Sequence, residues 1–315
     1  MNEIFQSLTL TDEKLFYRKN DRNDLRIGEI VPNTKYDDSG VIILGCPQDE
    51  GVKRSHGRIG AALAPDAIRE QFYQLTPFGI HIKICDVGNI KLQNTLEATH
   101  ENLAAVVKKI LEDGKKVIVL GGGSDISYAD GLAIGEVFGA NNWLGVNVSS
   151  RFGVSANEQR NNETHFRQIL EEKLIRPDYL YQIGYQTHYA SPVYYRYLQD
   201  LKVNLSSLEQ IRSRETADLE LREMMRQKFV NHSQSLNTLF GFDLSVVRSS
   251  DAPGTNSPSP LGLRAGEFIT LVKFAASLSN TKIIQFTEVN PNFDQDNRTA
   301  KLVSIAMHRF CSGQK

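Results

Sequence analysis

Cysteine, net charge and long apolar runs are scarce in this 315-residue chain. Its three cysteines (Cys46, Cys85 and Cys311) lie far apart, so the sequence encodes neither a disulfide framework nor a zinc site. Lys and Arg number 36 against 37 Asp and Glu, which leaves no overall field to attract nucleic acid or an anionic membrane. No window approaches about eighteen apolar residues, and the N-terminal stretch lacks the apolar core of a signal peptide. We therefore expect a cytoplasmic protein that binds neither nucleic acid nor membrane.

What the chain does have is a regular alternation of short apolar runs with amphipathic segments, in a composition that is 40% hydrophobic. The runs that predict buried strands are Val41–Leu44, Ile82–Cys85, Val117–Leu120, Leu144–Val148, Tyr179–Ile183, Val203–Leu205, Leu239–Phe242 and Ile283–Phe286. This alternation predicts an α/β fold of three layers, αβα, with a mostly parallel sheet of about eight strands. We expect a single domain, 1–315, in which residues 1–38 form an N-terminal extension that packs on the rest.

Three segments carry clear helical signals. Residues 101–113 keep the 3.6-residue period, and Gly114 then supplies a stop. Asp294 and Asp296 precede the last apolar face, where acidic residues suit the positive end of a helix dipole. The charge-rich segment 206–236 predicts a solvated helix with these buried residues: Leu221, Met224, Met225 and Phe229.

Functional residues in such folds lie beyond the carboxyl ends of the strands. The post-strand segments that carry polar or glycine-rich sequence are 49–70, 121–125, 147–155, 241–263 and 287–291. Together they resemble the ureohydrolases, the family of arginase, agmatinase and formimidoylglutamase, over nearly the whole chain. The resemblance is closest to formimidoylglutamases, because of the runs Asp49–Val52, Gly57–Ala61 and Pro65–Arg69.

The resemblance implies a centre of two manganese ions that hold a hydroxide for attack on an amidine carbon. It places the six metal-ligand positions at Ser124, Ser149, Arg151, Gly153, Asp243 and Ser245. Of these side chains, only that of Asp243 is a ligand of the kind the family uses. Serine hydroxyls and a glycine do not replace deprotonated ligands. We therefore expect no metal, no other cofactor and no catalytic residue, although the family would use two Mn²⁺.

Loss of the ions would leave Asp243 as a lone buried carboxylate. We expect the Arg151 guanidinium to enter the vacated space and pair with Asp243, and also with Glu288, because an unpaired buried charge is costly. Glu288 matches the family glutamate that binds the cationic head of the substrate. It is interpreted equally well as a strand-end acid paired with an arginine.

Other residues form a candidate ligand pocket at the distal end of the substrate site. Asn161, Asn162, Glu163 and His165 either recognise a polar ligand or cap the helix that follows, and capping is slightly favoured. The tyrosine cluster within 185–197 favours packing or subunit contact over nucleic-acid stacking.

The leading functional hypothesis is a ureohydrolase fold without catalysis, used for binding, regulation or assembly. The alternative is an amidine hydrolase of formimidoylglutamase type with an unusual or metal-independent site. A third hypothesis is a sensor that binds a small amidine or amino acid in the old pocket. The resemblance also implies a homo-oligomer, a trimer or hexamer, and a mixed oligomer with an active relative is one version of the leading hypothesis.

Overall fold

The sheet is the central layer of the fold. The structure, a computed structural model, describes residues 6–231 and 236–314, with side chains for 6–226 and 236–314. The strands are β1 (Leu8–Thr9), β2 (Val41–Cys46), β3 (Ile84–Ile90), β4 (Lys116–Gly121), β5 (Trp143–Val148), β6 (Leu180–Tyr185), β7 (Asn204–Ser207), β8 (Asn237–Asp243) and β9 (Thr281–Thr287). They form one nine-stranded sheet in the order β1-β3-β2-β4-β9-β8-β5-β6-β7. All eight predicted strands are confirmed, with ends that shift by a few residues.

Every pairing is parallel except that of β1 with β3, which attaches the N-terminal extension to the edge of the sheet. The two-residue β1 escaped prediction because so short a strand has no periodicity to detect. The inner strands are continuous apolar runs because helices cover both faces of a parallel sheet. In β2, for example, all six residues are buried.

Helices form the outer layers, and the predicted three-layer αβα architecture is confirmed. They are α1 (Ile27–Ile30), α2 (Glu50–Arg54), α3 (Ala64–Phe72), α4 (Leu96–Glu112), α5 (Ser127–Phe138), α6 (His165–Glu171), α7 (Pro192–Asp200), α8 (Leu208–Arg212), α9 (Ala217–Asn231), α10 (Ala265–Ser277) and α11 (Arg298–Ser312). Helix α4 packs on α5 and α5 on α6, whereas α3 packs on α11 and α11 on α10. No described helix is long and apolar enough to cross a membrane.

The predicted helix signals have direct structural counterparts. Thr95 caps α4, since its side chain accepts a hydrogen bond from the amide of Ala98. The Asp294 carboxylate accepts from the amides of Thr299 and Ala300 at the start of α11, as its position before the apolar face predicted. The described part of segment 206–236 is mostly helical, as predicted, but it forms two helices, α8 and α9, after the last two residues of β7.

Within that segment, Leu221 and Met225 are buried as predicted and Met224 is partly buried. Phe229 lies outside the described side chains.

A buried ion pair ties α3 to β3. The side chains of Arg69 and Asp86 are buried, at 0% and 1% exposed. Nε of Arg69 donates to Oδ2 of Asp86 at 2.8 Å, and Nη2 donates to Oδ1 at 3.1 Å. Arg69 also donates to the carbonyl of Gly88 and the side chain of Asn89. Because every charged atom is partnered, removal of one member leaves an uncompensated buried charge.

We predict that Arg69→Met lowers the free energy of unfolding by about 3–5 kcal/mol, measured by urea denaturation. The matched control is Arg176→Met, which breaks the surface pair of Arg176 with Asp178, whose side chains are 48% and 31% exposed. That control should cost less than about 1 kcal/mol. Equal losses in the two variants would contradict the prediction.

Candidate functional site

A cavity of about 430 Å³ opens at the carboxyl ends of the central strands. Ser124 follows β4, Ser149 follows β5, Asp243 ends β8 and Glu288 follows β9, and all four side chains line this cavity. Strands β4, β9, β8 and β5 are consecutive neighbours in the sheet. The parallel arrangement therefore brings together segments that are far apart in sequence, as the fold class predicted.

Asp243 forms part of the cavity floor and is 7% exposed. Its Oδ2 accepts a hydrogen bond from Oγ of Ser149 at 2.8 Å, and its Oδ1 accepts from the amide of Ser245 at 2.8 Å. Burial raises the pKa of Asp243, against the opposing effects of the Ser245 and Ser149 hydrogen bonds and the charge of Arg151. The carboxylate is thus partnered by neutral donors and not by a cation in contact.

Glu288 is the second floor carboxylate and is 3% exposed. Its Oε1 accepts from the amide of Ser124 at 2.7 Å and from Nδ2 of Asn162 at 3.1 Å, and its Oε2 accepts from Nδ2 of Asn256 at 2.6 Å. Burial, with the charge of Asp243 in addition, raises the pKa of Glu288 to about 7. The structure shows no arginine bound to Glu288 among the described residues, so the interpretation of a strand-end ion pair is wrong.

The backbone of Glu288 is unusual, with φ of 64°. This left-handed conformation is unfavourable for a residue with a long side chain, and such strain is concentrated at functional sites. Its amide donates to the carbonyl of Gly122, and its carbonyl accepts from the amide of Asn256. These bonds hold the strained residue so that its carboxylate faces the cavity.

Arg151 does not enter the floor of the cavity, so the predicted pairing with Asp243 or Glu288 is not observed. Its Nη1 lies 3.6 Å from Oε1 of Glu163, and its guanidinium stacks over the ring of Tyr189 at 4.9 Å from the centroid. The Arg151 side chain is 44% exposed. The long side chain turns to the mouth because Glu163 and Tyr189 provide partners there that remain in contact with water.

The remaining candidate positions are filled by small neutral groups. Ser124 Oγ donates to the carbonyl of Asn162 at 2.9 Å, and the hydroxyls of Ser245 and Ser150 lie 3.1 Å apart. Gly153 has φ of 65°, and a Cβ added there would lie 2.5 Å from Cε1 and Nε2 of His165. The ring of His165 thus covers the backbone at position 153.

Ten of the eleven candidate site residues line one cavity. They are Ser124, Ser149, Arg151, Gly153, Asn162, Glu163, His165, Asp243, Ser245 and Glu288. Asn161 does not line it, because its Oδ1 accepts from the amide of Glu163 at 2.8 Å and closes a turn before α6. No described side chain caps α6, whose N-cap residue is Thr164, so the capping interpretation is not observed, and Asn162, Glu163 and His165 line the cavity.

Sequence analysis missed Asn256, which holds Glu288. Its position in the proline-rich part of segment 241–263, residues 253–260, was the available signal. It also missed a buried cluster behind the floor, in which Oδ2 of Asp125 is bonded to Nε2 of Gln48 at 2.6 Å and Nε2 of His100 at 2.7 Å. No spacing in the sequence connects these three residues, which come from separate post-strand segments and a helix.

Comparisons with known proteins agree with this geometry. The model of the arginase family matches residues 39–312. Formimidoylglutamases of Staphylococcus aureus are 32% identical over 273 residues, a span of 86% of this chain and 86% of theirs. The formiminoglutamase of Trypanosoma cruzi, solved with Mn²⁺, superposes with a TM-score of 0.84 at 27% identity, over 92% of this chain and 98% of that one.

The formimidoylglutamase of Bacillus subtilis superposes with a TM-score of 0.85 at 22% identity, over 96% of this chain and 97% of that one. At that identity the likeness shows the fold alone. This chain therefore shares its overall fold, including the sheet whose edge carries the cavity, with these proteins.

The Trypanosoma cruzi structure contradicts the expectation of no cofactor, and we correct it: a structural neighbour of this chain carries manganese. The side chains described here do not reproduce a two-ion donor set. Asp243 and Glu288 are the two buried floor carboxylates, and within residues 6–231 and 236–314 no group of three or more His, Cys, Asp or Glu could hold a metal ion.

His165 has a testable electrostatic signature. Burial lowers the pKa of His165 to about 4, against the charge of Asp125, which raises it, and His100 adds to the lowering. The unfolded chain protonates near pH 6.5, so it binds more protons than the folded chain between these values. Stability is then lost as pH falls.

We predict that protonation of His165 in the unfolded chain lowers the free energy of unfolding by about 2 kcal/mol when the pH falls from 7 to 5. Between pH 7 and pH 5, the unfolding free energy of His165→Phe should fall by about 2 kcal/mol less than that of the parent. Urea denaturation at both pH values measures this difference. The exposed His188, varied to Phe, is the matched control and should follow the parent chain. Identical pH dependence of parent and His165→Phe would contradict the prediction.

Proposed function

The chain belongs to the arginase family, and on that premise we propose that its cavity binds a small linear amidine of the formimidoylglutamate type. The observation that carries the proposal is the floor of the cavity. Asp243 and Glu288 are buried carboxylates whose described hydrogen-bond partners are neutral. A planar amidinium head is a cation with several N–H donors, which suits two adjacent carboxylates.

The mouth of the cavity has the opposite charge. Arg151 lies 3.6 Å from Glu163 and stacks over Tyr189, and Arg58 lines the cavity with its guanidinium over the ring of Phe293. A ligand with an amidinium at one end and a carboxylate at the other fits this polarity. Formimidoylglutamate, which gives the similar Staphylococcus aureus enzymes their name, has this distribution of charge.

Recognition without turnover is the first candidate, and only the residue types at the aligned positions support it, whereas the curated relatives are hydrolases. Four of the six positions aligned with family ligands carry serine or glycine, and a fifth carries an arginine that faces the mouth. Neutral hydroxyls do not activate water as a metal-bound hydroxide does. Such a protein would act in binding, regulation or assembly, and the homo-oligomer and the mixed oligomer with an active relative stay predictions.

Hydrolysis of a linear amidine is the second candidate, and the similarity to formimidoylglutamases supports it. Both candidates share the same first step, which is capture of the cationic head at the floor. The two candidates differ in turnover. Purified protein is incubated with formimidoylglutamate, with and without added Mn²⁺, and released glutamate and formamide are measured. Release of either above the background rate favours hydrolysis, and binding without release favours recognition.

We predict that Asp243→Asn and Glu288→Gln each weaken binding of formimidoylglutamate about 10- to 100-fold, measured by isothermal titration calorimetry. The reason is the loss of a charge-assisted hydrogen bond, worth about 1.5–3 kcal/mol. Glu101→Gln on the exposed face of α4 is the control and should bind as the parent does. Unchanged affinity in both floor variants would overturn the proposed head site.

We predict that Arg151→Ala weakens formimidoylglutamate about tenfold but leaves binding of formamidinium, which has no acidic tail, unchanged. Because Arg151 is 44% exposed, its contribution should shrink as salt rises from 50 to about 500 mM. Arg151→Lys keeps the charge and should recover part of the loss. A stronger binding of formimidoylglutamate by Arg151→Ala would contradict this role.

A further inference from the structure

Two lysines lie side by side at the amino ends of the strands, opposite the cavity. Lys116 begins β4, and Lys282 is the second residue of β9. The parallel register pairs Val117 with Ile283, so the residues that precede them are also neighbours, and their side chains leave the same face of the sheet. Both lysine side chains are partly buried. Two like charges are therefore held together where water screens them only in part.

No acidic side chain compensates these two charges within the described residues. Burial lowers the pKa of Lys116 to about 8, and the charge of Lys282 adds to this effect. Neither ammonium forms an ion pair with a described carboxylate. By contrast, Lys108 pairs with Glu136 at 2.8 Å, and that contact raises the pKa of Lys108. The surroundings of Lys116 thus favour its neutral amine, which is a nucleophile.

The amine of Lys116 is held by the side chain of Gln314, which follows α11 and is 4% exposed. Nε2 of Gln314 donates to the carbonyls of Phe310 and Ala276, which directs its Oε1 toward Lys116. Nζ of Lys116 donates to that oxygen. A neutral amine keeps this bond with one N–H, and its lone pair is then directed elsewhere.

The electrophile that fits this place is small and becomes an anion when it reacts. A partly buried amine is reached more readily by a molecule of three atoms than by a large acyl donor. Carbon dioxide is such a molecule, and its adduct with an amine is a negatively charged carbamate. The adduct exchanges the repulsion between positions 116 and 282 for an attraction, whereas a neutral acyl group would only remove the repulsion.

We propose that Lys116 reacts reversibly with carbon dioxide to form a carbamate that pairs with Lys282. The lone pair of Nζ attacks the carbon, one carbon–oxygen π bond opens toward oxygen, and a proton passes from Nζ to water. An N–C bond forms, no group leaves, and nothing is oxidised or reduced. The carbamate keeps one N–H for Oε1 of Gln314 and presents two oxygens to the ammonium of Lys282. This site is separate from the cavity, so it does not depend on the ligand proposed above.

Trapping of the adduct in the parent chain tests the proposal. The purified protein is equilibrated with carbon-13 bicarbonate at pH 7.5, alkylated with a trialkyloxonium salt, which converts a carbamate into a stable ester, and digested for mass spectrometry. An amine with a pKa of about 8 is about one-quarter neutral at this pH, whereas an ordinary lysine is about one-thousandth neutral. The label on Lys116 should therefore exceed that on Lys108 by about 100-fold or more. Equal labels on the two residues, or none on Lys116, would overturn the proposal.

Variants at position 282 test the ion pair. Lys282→Gln removes the charge that favours the neutral amine and also the cation that holds the carbamate, so the label on Lys116 should fall several-fold. Lys282→Arg retains the positive charge and should be labelled as the parent is. An unchanged label in Lys282→Gln would contradict the proposed pairing.

Thermal unfolding provides a readout without alkylation. Bicarbonate, compared with chloride at equal pH and ionic strength, should raise the unfolding midpoint of the parent, because an adduct of the folded state stabilises it. Lys116→Arg should show no such shift, since its guanidinium stays protonated and does not form the carbamate. An equal shift in both proteins would show that the salt acts and not the adduct, which would contradict the proposal.

Discussion

Two carboxylates buried side by side, at the ends of neighbouring strands, set the chemistry of this protein. Asp243 ends β8 and Glu288 follows β9, so parallel pairing of these strands forces the two acids to the same edge of the sheet. Like charges in a buried site repel, and the raised pKa of each acid reflects burial, to which the charge of Asp243 adds for Glu288. Hydroxyl and amide groups from four other segments converge on them. These neutral donors offset part of the cost of burial, and a cation bound above the floor would favour the ionised form of both acids.

The strands were predictable because parallel, doubly covered strands are continuous apolar runs. The helices followed from their period and their caps, as with Thr95 and Asp294. The location of the site followed from the same logic, since polar segments after inner strands must meet at one edge. What the sequence could not supply was side-chain direction. Arg151 belongs to the loop as expected, yet its guanidinium lies on Tyr189 at the mouth, because aromatic and acidic partners there leave it hydrated.

The expectation of no cofactor failed for a different reason. It was inferred from the residue types at six aligned positions, whereas a solved neighbour of this fold holds Mn²⁺. The residue types at six positions show which donor atoms this chain offers there. They do not show which metal the related proteins bind. The Asp125 cluster was missed because hydrogen bonds across 25 to 77 residues leave no pattern in a linear sequence, whereas Asn256 lies in a segment that was singled out, 241–263.

The contact between His165 and Gly153 has a consequence for the history of the cavity. A side chain at position 153 and the imidazole at 165 compete for one volume, so each excludes the other. An acidic side chain could occupy position 153 only if the ring were replaced or moved, and the positive φ of Gly153 adds a second barrier. The order of substitutions is therefore constrained. Relatives of this chain should show small residues at 153 wherever a large ring stands at 165.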